Sequence, residues 1–117
     1  MESARGGSRG RRPYEARPGR RAVVVSDVDE FRGPTSGIVE LPHRLFWQPN
    51  RMINLDRPAM LAWMYETVLR EAATADELRA WLDGPTLVRL WGDIFVPRGV
   101  RQAWEERHPS LRARAVA

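Results

Sequence analysis

The chain has no cysteine and no lysine, and it has no long apolar run. Without cysteine there can be no disulfides, thiolate metal ligands or cysteine nucleophiles. Spanning a bilayer takes roughly 18–20 consecutive apolar residues, so no membrane-spanning helix is expected. The basic N-terminus has no apolar stretch behind it, so no secretory signal is expected and the default location is the cytoplasm. The lack of lysine makes every basic side chain an arginine, a usage that a GC-rich coding sequence produces before any function does.

What is present suits one domain: 117 residues, 43% of them hydrophobic, with five tryptophans to anchor a core. The charge is unevenly placed. Residues 1–21 hold seven arginines against Glu2 and Glu15, whereas the rest holds 12 arginines against 13 acids. The surplus behind the net charge of +4 therefore lies in the first 21 residues. That stretch is rich in Gly, Arg, Ser and Pro and has little to bury, so a disordered tail over residues 1–21 is expected. Such a tail can bind nucleic acid by displacing counterions from phosphates, with Arg9, Arg11, Arg12, Arg20 and Arg21 as candidates. The plain alternatives are a solubilising extension or a reading frame opened upstream of the true start.

Beyond the tail, Ala22–Val25 is β-branched and reads as a strand. Gly33-Pro34-Thr35-Ser36-Gly37 reads as a loop. Ile38–Leu41 and Leu45–Trp47 are extended candidates separated by Pro42, which suggests a small hairpin or irregular arm over residues 22–50. From Asp56 the pattern turns helical. Asp56 is a candidate N-cap with Pro58 in the first turn, and Leu61, Met64, Tyr65, Val68, Leu69 and Ala72 recur at helical spacing over about 57–73. Thr74-Ala75-Asp76-Glu77 is a capping box opening a second helix, with Leu78, Trp81 and Leu82 inward. Asp83-Gly84-Pro85 starts a third, with Leu87, Leu90, Trp91 and Ile94 inward. A fourth, over about 98–108, turns Val100 and Trp104 inward before Pro109. The expected fold is mainly α: a small bundle of about four helices with a short extended or β arm, one domain over residues 22–111, and a frayed end at 112–117.

No motif for chemistry stands out. His43 and His108 are 65 residues apart without metal-ligand spacing, and neither Ser26 nor Ser36 sits in a nucleophile elbow. Asp27 and Asp29, at the end of the expected strand, have the spacing of carboxylates that share a divalent cation, but the further carboxylates of a two-metal centre are missing. A solvated acidic turn is the plainer reading. Ala80, Gly84 and Leu90 loosely match a helix-turn-helix, with Arg79, Asp83 and Pro85 where that motif wants apolar residues. Arg98, Arg101 and Arg107 on the last helix are suited to phosphates, although Glu105 and Glu106 on the same helix oppose an anion. Neither a catalytic residue nor a cofactor is expected.

The tryptophans are more informative. Trp81, Trp91 and Trp104 fall on apolar helix faces and are expected in the core. Trp63 projects away from its helix's apolar stripe, so it either packs under the 38–47 arm or is an exposed interface anchor. Arg44, Phe46, Trp47 and Arg51 mix aromatic and basic side chains in the same way. Phe46, Trp47, Trp63 and Arg70 are the candidate partner-binding set.

Leu41-Pro42-His43, Phe46-Trp47, Asn54-Leu55-Asp56, Tyr65–Glu71, Leu90-Trp91 and Val96–Glu105 together resemble a group of short actinobacterial helical proteins often encoded beside nucleotidyltransferases of the AbiE toxin type. The resemblance covers about residues 38–111 and leaves out the basic tail. It brings no catalytic residue with it. It implies a non-enzymatic, antitoxin-like or accessory protein whose partner is a co-encoded toxin. A DNA-binding regulator using the tail and the last helix is the alternative.

Overall fold

A computed structural model describes residues 14–112. The candidate arginines Arg9, Arg11 and Arg12 lie outside the described residues, as does 113–117.

The stretch Tyr14–Arg21, expected to belong to an unfolded tail, is ordered. Glu15–Arg17 (β1) pairs antiparallel with Arg20–Arg21 (β2) around Pro18-Gly19. Gly19 has φ 81°, which a type II turn requires after its proline. The hairpin docks on the helical body through Ala16, which is buried. The expectation failed because one small side chain and a close backbone approach do the docking, and neither registers as hydrophobicity. Residues 22–25 form no strand, and Val25 nonetheless reaches the core.

A single turn of 3-10 helix at Val28–Glu30 leads to Phe31, which is fully buried. This segment lies against the chain at Leu82–Gly84: Gly33 N donates to Leu82 O at 2.9 Å, and Gly84 N to Phe31 O at 3.3 Å. Ile38–Glu40 (β3) then pairs antiparallel with Met52–Asn54 (β4), in the register Ile38 to Asn54. A hairpin was expected, but its second strand is Met52–Asn54 and not Leu45–Trp47. Leu45 and Phe46 N–H groups both donate to Pro42 O, closing a helical turn where the sequence suggested an extended run.

Among the described residues four helices with both ends placed follow: Pro58–Glu71 (α1), Ala75–Trp81 (α2), Gly84–Leu90 (α3) and Arg98–Arg107 (α4). Asp56 does not cap α1; its Oδ1 accepts from Gly37 N at 3.0 Å and so ties the β3 loop to the helix start. Thr74 caps α2 as expected, taking Glu77 N on its hydroxyl. Asp83 caps α3, accepting from both the N–H and the hydroxyl of Thr86.

α1 is the central element. Its expected stripe of Leu61, Met64, Tyr65, Val68 and Leu69 is buried, and so is Thr67 from outside that stripe. α1 packs on α2 along one side and on β1 and β4 elsewhere, which is why more than one face is covered. The main partner of α4 is β1. The fold is thus a small α-rich mixed one, with two two-stranded sheets among the described residues, and not a clear four-helix bundle. Trp91 and Trp104 are core anchors, fully buried, whereas Trp81 is half-buried. No described helix is long and apolar enough to cross a membrane.

Candidate interaction surface

The turn opened by Pro42 sets the geometry of this surface. It buries Leu45, leaves Phe46 half-buried and projects Trp47, which is 74% exposed. Arg51 closes the loop behind them, donating to Leu41 O at 2.9 Å, Gln48 O at 3.2 Å and the Glu40 carboxylate at 3.1 Å. Arg44 fixes the other side by donating to Glu77 and to Glu71 O, each at 2.5 Å. The loop carrying the aromatics is therefore held at both flanks by guanidinium bonds to carbonyls and carboxylates, which are stronger than neutral hydrogen bonds.

Phe46 separates two grooves. On one side it meets Trp63 edge to face, with ring centroids 4.8 Å apart and planes at 79°. There it lines an apolar groove of about 320 Å³ with Met52, Ile53, Met60 and Trp63. On the other side it lines a groove of about 230 Å³ with Trp47, Arg17, Arg20, Arg44 and Arg70. The four residues singled out in the sequence, Phe46, Trp47, Trp63 and Arg70, thus converge on one face. Trp63 both packs under the arm and contributes to the open surface.

Glu71 organises the charged groove. Its carboxylate takes Arg17 at 3.1 Å and Arg70 at 3.0 Å, and its carbonyl takes Arg20 and Arg44. Glu77 is partly desolvated, which disfavours its charge, but the Arg44 guanidinium and the Ala73 N–H outweigh this and hold its carboxyl below the ordinary range. Four guanidiniums stand against two carboxylates, so the groove keeps a positive excess. Arg17 and Arg20 also line an open cleft of about 550 Å³ behind the β1–β2 turn, together with Arg21.

The two candidate nucleic-acid residues on the last helix stand in different surroundings. Arg101 is half-buried, donates to Trp91 O and Ile94 O, and lies 4.9 Å from the Trp91 ring centroid. It holds the connection between α3 and α4 and is committed to the fold. Arg98 is exposed at the start of α4. Asp27 is joined to Arg79 at 2.9 Å, and this bond holds its carboxyl below the usual range. His108 stacks on Trp104 and has Nε2 2.7 Å from Val25 O; His43 is exposed. Among the described residues no group of three His, Cys, Asp or Glu is placed to hold a metal ion.

Sequence reasoning missed Arg17 and Arg20 as groove residues and Met52 and Met60 as groove walls. The turn-forming Pro18-Gly19 pair was the available signal for the first two. Nothing in periodicity flags the methionines. No family model, no curated protein and no solved structure matches the chain.

Proposed function

We propose that the protein is a non-enzymatic protein-interaction module, an antitoxin-like or accessory partner of a nucleotidyltransferase-type toxin. The observation that carries the reading is the convergence of Phe46, Trp47, Trp63 and Arg70 on one face, with Trp47 74% exposed. Tryptophan, phenylalanine, methionine and arginine are the types enriched at protein interfaces, and burying such a tryptophan against a partner is a large gain. The resemblance of residues 38–111 to proteins encoded beside such toxins supplies the partner. The test is co-expression with the product of the adjacent reading frame, which this reading expects to be a nucleotidyltransferase. A stoichiometric complex that survives gel filtration and loses nucleotidyl transfer supports the reading; two independent elution peaks with unchanged transferase activity remove it.

A second reading, a DNA-binding regulator, draws on the open arginine cleft of the β1–β2 turn. It is weakened by Arg101, which is committed to the fold, and by Glu105 and Glu106 on α4. A salt series with duplex DNA separates the two, since phosphate contacts give a steep loss of affinity with salt.

A further inference from the structure

We infer that the two grooves flanking Phe46 form one bipartite site for an acidic peptide segment of a partner protein, a segment that also carries a bulky apolar side chain. The inference rests on the protein-interaction reading above and specifies the chemistry of its contact. The apolar groove between Met52, Ile53, Met60 and Trp63 has room for one large side chain. Met60 and Met52 give it adaptable walls, because the thioether chain can repack around different guests. Across the Phe46 ring, Arg17, Arg20, Arg44 and Arg70 present guanidiniums toward the second groove. Planar guanidiniums are suited to paired bonds with carboxylates. Arg20 is bound only to a main-chain carbonyl at 3.4 Å among the described residues, which leaves it the most available of the four.

Charge and polarity together choose a peptide over a polynucleotide. Glu71 and Glu77 already sit among the arginines, and they would oppose a continuous phosphate backbone more than they oppose two or three spaced carboxylates. The groove on the far side of Phe46 is bounded by methionine, isoleucine and aromatic side chains with Asn50, and has no cationic side chain to neutralise a sugar-phosphate chain. An extended peptide alternates its side chains and can place an apolar one and an acidic one on either side of a single ring.

The test uses the full chain and fluorescence anisotropy with three labelled probes. One is a twelve-residue peptide alternating Asp and Glu around a central Leu-Trp pair, the second is the same peptide with Asn and Gln, and the third is a single-stranded oligonucleotide of similar length. The acidic peptide is expected to bind about tenfold more tightly than the amide version and to weaken with salt. Arg20→Gln and Trp47→Ala, both at exposed or half-exposed positions, are each expected to weaken it several-fold while leaving the melting temperature unchanged. Equal binding of the two peptides overturns the inference, as does no binding by either. Tighter binding of the oligonucleotide overturns it in favour of a nucleic-acid surface. A toxin complex that forms normally with both variants removes this site and leaves the interaction reading standing, whereas peptide binding without any toxin complex does the reverse.

Discussion

Phe46 stands edge-on to Trp63, ring centroids 4.8 Å apart, and so joins the loop after Pro42 to the outer face of α1. The sequence left open whether Trp63 packs inside or faces a partner, and this contact means that it does some of each. Trp63→Ala is therefore expected to lower stability, by about 2 kcal/mol, since a half-buried ring loses about half of what a buried one does. Trp47→Ala, at a site 74% exposed, should change it by less than about 0.5 kcal/mol. Chemical denaturation of both variants checks this, and equal losses would contradict the assignment of Trp47 to the surface.

Gly99 lies in the first turn of α4, where alanine ordinarily improves a helix by about 0.5–1 kcal/mol. A Cβ at Gly99 would run into the backbone of Glu15, with Glu15 N at 2.6 Å and the carbonyl oxygen nearer still. Helix propensity and packing thus predict opposite signs, and packing against main chain cannot be relieved by turning a side chain. Gly99→Ala is expected to lower the melting temperature and to expose Arg20 and Arg21 to trypsin. Faster cleavage after those two arginines, ahead of cleavage elsewhere, is the measurement.

The helical half of the fold was readable because its signals are local. Thr74 and Glu77 are three residues apart, and the buried stripe from Leu61 to Leu69 needs only helical period. The N-terminal half was not, because its determinants are pairings across the chain. Glu15 and Gly99 are 84 positions apart, and Gly84 is required by the Val28 carbonyl, which a Cβ there would strike. The same holds for the surface: Phe46, Trp47, Trp63 and Arg70 could be chosen by residue type, but Arg17 and Arg20 enter only once β1 and β2 fold back onto the end of α1.

The Glu77 carboxyl has a lowered pKa in the folded chain, so its contribution to stability is full above its ordinary value of 4.5 and is lost as pH falls through the lower folded value. The unfolded state binds more protons in that window, and stability rises with pH across it. Glu77 also accepts from Ala73 N at 2.7 Å, completing the start of α2. Glu77→Gln is expected to lower the melting temperature at pH 7, with the difference from the parent narrowing steadily below pH 4.5. A difference that stays constant down to strongly acidic pH would mean that Glu77 acts by shape alone.

Thr67 is fully buried on α1, and its hydroxyl has no hydrogen-bond partner among the described residues. A buried hydroxyl left without a partner costs about 1–3 kcal/mol, and valine has nearly the same shape without that group. Both residues are β-branched, so the change in helix propensity is slight. Thr67→Val is accordingly expected to stabilise the protein by about 1 kcal/mol. Thr67→Ser keeps the hydroxyl and removes a packed methyl, and it should destabilise by about 1 kcal/mol. Thermal melts of the two variants beside the parent give the ordering directly. If valine proves the less stable, the hydroxyl has a partner in solution, and the face of α1 between Trp63 and Arg70 is wetter than its burial implies.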